Sequence, residues 1–223
     1  MRAILQANQK QKPARNASRS EAGGEKVLRQ NAHEVHIADI KTKKIKNVLK
    51  EMSLALRSQD DGVAIAAPQV GYLLRIFIVS GKVLRAGFPE RGLSQGDGPT
   101  RPPSLRSGES GRGVSAARAL ADSDPERKDP AVKDLVFINP KITKLSRKKE
   151  WVSEGCLSVR WLYGKTFRSK RATITAYDEN GKRFQRGASG LLAQIFQHEN
   201  DHLNGILFID HAKDIKEELP QRK

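Results

Sequence analysis

Apolar side chains recur at helical spacing in two stretches of this chain and run as short strand-like segments in several others. In the first helical stretch, Ile45, Val48, Leu49, Met52 and Leu56 share one face of a 3.6-residue period. That pattern predicts a helix beginning near Asp39, with Asp39 as its N-cap. Lys41, Lys43, Lys44, Lys46 and Lys50 take the remaining positions and are most simply a solvated face. In the second stretch the stripe is Leu191, Leu192, Ile195, Phe196 and Leu203, with Asn204-Gly205 as a stop. Leu73 to Val79 reads as a strand, as does Asp134 to Asn139, which Pro140 ends. Lys141 to Trp151 reads as another. Ala172 to Tyr177 alternates, and Asp178 to Gly181 turns it back into Lys182 to Arg186. One helix, a run of strands and a second helix make an α+β domain.

Two segments interrupt this order. Residues 7–25 carry few apolar side chains and no periodicity, so residues 1–25 are expected to be a flexible segment, with a short strand at 3–6 around Ala3, Ile4 and Leu5. Residues 81–131 are rich in Gly, Ser, Pro and Arg and cannot bury enough apolar surface to offset their ordering entropy. They are expected to be a disordered insertion, with a frayed helix near Ala116 to Ala121. The domain therefore spans 26–210, followed by a polar tail over 211–223.

Composition adds a partner and a compartment. The net charge of +16 suits an anionic neighbour such as RNA, a ribosome or a membrane surface, although a solvated basic surface explains it equally well. Cys156 is the single cysteine, so no internal disulfide forms, which suits the reducing cytoplasm. No apolar run reaches the length of a membrane span. The start lacks the apolar stretch of a secretory signal. It is basic and has no acid before Glu21, a composition shared with organellar transit peptides, so organellar import is the minor reading.

The chemistry is concentrated in QHENDHLNG, residues 197–205. His198, Glu199 and His202 form H-E-x-x-H. Positions i and i+4 stack on one helical face, so both imidazoles reach one metal ion and Glu199 projects to its side. A catalytic site of this kind needs a third protein ligand. The extended zincin pattern would place a histidine where Phe208 stands. Few residues follow His202; Glu217 and Glu218 lie in the polar tail, and His211 has no recognised spacing. Upstream, Cys156 stands in EGCLS, residues 154–158. A lone cysteine is ordinarily an inert core residue. Here the lack of another third ligand favours ligation, and a thiolate with two imidazoles suits Fe²⁺ as well as Zn²⁺.

Together, GVAIAAPQVG (62–71), EGCLS (154–158) and QHENDHLNG (197–205) resemble, in order, the motifs of the peptide deformylase family. The similarity also covers Lys26 to Val79 and Phe137 to about Asp210. The resemblance implies antiparallel strands packed around the H-E-x-x-H helix. It implies one metal ion on Cys156, His198 and His202, usually Fe²⁺, with Zn²⁺, Ni²⁺ or Co²⁺ as substitutes. Glu199 becomes the acid/base, and the Gln69 side chain with the Leu157 N–H becomes the oxyanion donors. The substrates implied are N-formylmethionyl nascent peptides near the ribosome, the product is formate, and a monomer is favoured. Val63, Val152, Leu191 and Ile195 match the positions lining the methionine slot, though each is also an ordinary core residue.

Departures from the family pattern touch the substrate side. Ala64 stands where the family usually has Gly and pairs its backbone with substrate. Arg160-Trp161 replaces the common Pro-Gly, near the cleft entrance. Two other readings remain: a broader metallopeptidase, and a basic RNA- or ribosome-binding protein on an inactive deformylase scaffold.

Overall fold

The computed structural model describes residues 2–7, 25–85 and 133–219. Its elements are α1 (Lys43–Arg57), β1 (Ala64–Ala66), β2 (Ile76–Val79), a short helix α2 (Gly81–Arg85), β3 (Leu135–Leu145), β4 (Lys149–Cys156), β5 (Val159–Ser169), β6 (Arg171–Tyr177), β7 (Arg183–Ser189), α3 (Gly190–Leu203) and β8 (Lys213–Glu217). All strand pairings are antiparallel. One sheet runs β1-β2-β3-β6-β7 and the other β4-β5-β8. This is the α+β class expected from the element order.

Strand β2 shows why the sheet is apolar on both faces. Ile76 and Ile78 point into a cluster with Ile45, Val48, Met52 and Leu56 of α1. Phe77 and Val79, one residue out of phase, point the other way, into a cluster with Leu192, Ala193, Phe196 and Leu203 of α3. A strand covered on both sides carries no polar alternation, hence the continuous run before Ser80. On the α3 side, Phe77 stacks on Phe137 at 4.5 Å between centroids, and Phe196 meets Phe137 edge-on at 5.2 Å. Burying such rings contributes roughly 2–3 kcal/mol each, and that packing sets the height of α3 over the sheet.

Several expectations are corrected. Helix α1 starts at Lys43 and not near Asp39. Thr42 is its N-cap, its hydroxyl accepting from the Ile45 N–H at 3.5 Å. Asp39 instead closes a 3-10 turn, and its carbonyl accepts from the Thr42 hydroxyl at 2.7 Å. Pro140 does not end its strand: β3 runs through it with a register shift between Ile138 and Lys141, and Asn139 takes φ 51°. A bulge is a place where a strand tolerates proline, because no ladder N–H is needed there. The Asn139 side chain ties this bulge to Val35, accepting from its N–H at 2.8 Å and donating to its carbonyl at 2.7 Å.

The segment 2–7 forms no strand at 3–6. It docks through Leu5 N–H to the Gln69 carbonyl (2.7 Å) and Ala7 N–H to the Ser158 carbonyl (2.7 Å), bracing two stretches of the site. The expected insertion begins later than 81: Gly81 and Val83 are buried, and the Gly81 N–H donates to Asp134 Oδ1 at 3.1 Å. Its remainder, including the helix expected at 116–121, lies outside the described residues, as do residues 8–24 and 220–223. The polar tail is in part an edge strand, since β8 pairs with β5 through Leu162, Tyr163 and Lys165. Exposed charged side chains without apolar alternation gave no strand signal there.

Candidate active site

The two halves of the site come from α3 and from the end of β4. His198 and His202 are one turn apart on α3, ring centroids 4.9 Å apart. Gly205 takes φ 71° just past the helix, where a Cβ would lie 2.6 Å from the Arg29 carbonyl, so only glycine ends the helix this tightly. Strand β4 ends at Cys156, and the two-residue turn Leu157-Ser158 leads into β5. This turn brings Cys156 Sγ to 3.1 Å from His202 Nε2. One ligating atom from each of Cys156, His198 and His202 lies within 4.8 Å of the others. The metal trio expected from the sequence is thus assembled in space. Its thiolate and imidazole donors, mutually close and mostly sheltered, fit a tetrahedrally disposed divalent metal with one position left over.

The electrostatics favour the thiolate that such a donor set needs. Burial pushes the Cys156 thiol up, but His202 and His198 beside it outweigh burial and hold it well below its ordinary value. Burial pulls the His198 imidazole down, and contacts with Cys156 and Glu154 overcome it, holding His198 well above its ordinary value. Glu199 is buried, and burial pushes its carboxyl up to about 7, against the lowering pull of His198 and His202. Glu199 Oε2 has no hydrogen-bond partner, and neither has His202 Nδ1. A buried carboxylate oxygen without a protein partner, beside three clustered donors, is what a site built around a further polar group leaves unpaired.

Gln69 belongs to the same constellation. It sits in a 3-10 turn (Ala67–Val70) capped by Gly71 at φ 85° and is 2 % exposed. Its Oε1 accepts from the Ala66 N–H at 2.8 Å, so the amide orientation is fixed by an obligate donor. Its Nε2 therefore faces Ser158 Oγ (3.2 Å) and Cys156 Sγ (3.6 Å). The surface amide that a lone Gln ordinarily is does not apply here.

A cleft of about 310 Å³ opens over these groups. It is lined by Val63, Ala64, Gln69, Cys156, Leu157, Leu191, Ile195, His198 and Glu199, with Arg160, Trp161 and Asp61 also on its wall. Leu191 and Val63, about two-fifths exposed, therefore face the cleft, where the sequence stripe had put Leu191 with the core. Val152 does not line it. It lies four residues before Cys156 on an extended strand, roughly 13 Å away at the usual rise, and pairs with Thr166. Ser153, Glu154 and Gly155 take that part of the wall.

Sequence reasoning missed the support behind His198. Glu154 Oε2 lies 3.3 Å from His198 Nδ1, leaving Nε2 for the Cys156 side. Arg168 clamps Glu154 with two bonds, 2.8 and 3.0 Å, and reaches Asp201 at 2.6 Å. Burial opposes ionisation of Glu154, yet His198 and Arg168 hold it well below the usual carboxylate range. The available signal was the i, i+2 spacing of Glu154 and Cys156, which puts both on one face of the strand.

A paired thiolate and imidazoles beside a buried carboxylate, on an α+β frame, define a metal-dependent hydrolase. Comparison with known proteins places it more narrowly. Residues 21–85 and 113–218 match the sequence profile of polypeptide deformylases. The peptide deformylase of Thermomicrobium roseum is 31% identical over 191 residues, covering 86% of this chain and 83% of that protein. That of Psychrobacter cryohalolentis is 48% identical over 82 residues, which cover 37% of this chain and 45% of that protein. The crystal structure of a class I type b peptide deformylase from Acinetobacter baumannii, bound to Met-Ala-Ser, superimposes with a TM-score of 0.58 at 26% identity, covering 84% of this chain and 94% of that one. The chain belongs to the polypeptide deformylase family. The family's reaction is removal of the N-formyl group from nascent peptides.

Proposed function

We propose that this chain deformylates N-formylmethionyl peptides with the residues gathered at the cleft. Cys156, His198 and His202 hold one divalent metal; a thiolate with two imidazoles suits Fe²⁺ and Zn²⁺ alike, and the family resemblance favours Fe²⁺, with Zn²⁺, Ni²⁺ or Co²⁺ as alternatives. When bound, the metal supplies Lewis acidity and activates water at neutral pH. Glu199, with its carboxyl near 7, takes a proton from the attacking water and returns it to the leaving amine. Gln69 Nε2, already aimed at the site, and the Leu157 N–H stabilise charge on the formyl oxygen, each donor worth roughly 3 kcal/mol. Val63, Leu191 and Ile195 receive the methionine side chain, and the backbone at Ala64 runs beside it.

The observation that carries this reading is the 3.1 Å approach of Cys156 Sγ to His202 Nε2, from segments 46 residues apart. The test is formate release from formyl-Met-Ala-Ser by protein purified without oxygen, compared with Glu199→Ala. Formate from the parent and almost none from the variant, at equal metal content, supports it; equal turnover by both contradicts it.

The cellular setting follows from composition. We infer a monomer acting in the cytoplasm close to the ribosome, supported by the net charge of +16 and the single cysteine. Among the described residues, no helix is long and apolar enough to cross a membrane.

A further inference from the structure

Above the catalytic groups the cleft has a rim that the proposed reaction leaves unused. Arg160 and Trp161, at the start of β5, both line the cleft. Trp161 takes φ 68°, one of three non-glycine residues among those described with positive φ. The other two are Asn139 and Asp214, whose short polar side chains tolerate that region. A bulky indole there is an outlier, and such strain persists only where its surroundings over-determine it.

Those surroundings are visible. The Trp161 carbonyl accepts from the Glu218 N–H at 2.8 Å. The Arg160 guanidinium lies 5.4 Å from the Trp161 ring centroid, near enough for a cation–π contact. Asp61 holds the same guanidinium at 2.7 and 3.3 Å, and Gln59 bonds it too. A glycine would adopt this backbone without strain. The chain instead tolerates strain to keep an indole, with a cation against its ring, on the wall of the cleft.

From this arrangement we infer that Trp161, steadied by the Arg160–Asp61 clamp, is a specificity-determining residue for the peptide beyond its formylmethionine. It favours an apolar or aromatic side chain at the position after methionine. The formyl group must reach Cys156 and Glu199, so the rest of the peptide leaves the cleft past its wall. An indole offers that peptide a broad, rigid apolar contact at low entropic cost. The Arg160 charge is matched by Asp61, so the rim gives no strong selection for an acidic side chain. The inference rests on the deformylase reading.

Two measurements test it. The first compares the parent protein with Trp161→Gly on formyl-Met-Phe-Ser and formyl-Met-Gly-Ser. The preference of kcat/KM for the Phe peptide is expected to fall about 5-fold, through KM, with no loss of Tm, because glycine relieves the strain. The second uses Trp151→Phe, which leaves Trp161 as the only tryptophan of the chain. Its emission is expected to shift when Met-Phe-Ser is added and to stay put with Met-Gly-Ser. Formate release with the same preference in the variant, or an indole indifferent to both peptides, overturns the inference while leaving the deformylase reading intact. Absence of formate from every peptide and both proteins overturns the two together.

Discussion

Cys156 is the residue on which the site's chemistry turns, and its substitution separates ligation from mere packing. Cys156→Ala removes the only sulfur donor and is expected to leave less than one tenth of the parent's bound metal, read by elemental analysis of the dialysed protein. A core cysteine would instead change stability and spare the metal. Glu199→Ala is expected to keep its metal and lose about 10³-fold in kcat, in line with a removed acid/base. Gln69→Leu should lose roughly 10²-fold in kcat with little change in KM, since its Nε2 is needed where charge develops. At this scale the sequence was highly legible. Metal ligands must be few, polar and of particular types, so spacing and elimination find them. Gln69 was readable only through family resemblance, because its orientation depends on the Ala66 N–H that meets it in space.

Among the elements, the pairing of β4 with β5 carries the second tier of the site. Glu154 of β4 and Arg168 of β5, four residues out of register with each other, meet through their side chains, both nearly buried, and Asp201 of α3 completes the group. Replacing Arg168 by Met leaves the Glu154 charge buried with one partner fewer, and is expected to cost about 3–5 kcal/mol in denaturant unfolding. The same carboxylate makes the fold acid-sensitive. Its folded pKa is lowered from an ordinary 4.5, so its contribution is complete above that value and is lost as pH falls below it. The stability difference between the parent and Glu154→Gln should therefore shrink from pH 6 towards pH 3, as read by urea midpoints. None of this was evident beforehand, because a buried ion pair between strands has no local pattern. For the same reason the bulge at Pro140 and the edge strand β8 were missed, each being decided by a neighbour distant in sequence. The cap at Thr42 was misplaced by three residues, since Asp39 is as good a capping residue in isolation.

Over the whole molecule, one sheet is covered on both faces by helices, and the second sheet swings Cys156 under the motif helix. The order of elements was enough to give the α+β class, because helical and strand periods differ and α1 and α3 bracket β1 to β7. The central question for this assembly is which bond it cleaves. Mass analysis of the products formed from formyl-Met-Ala-Ser by the metal-loaded protein decides it directly. The expectation is intact Met-Ala-Ser with one equivalent of formate. Cleavage after methionine, or unchanged substrate from protein with its full complement of metal, would contradict it.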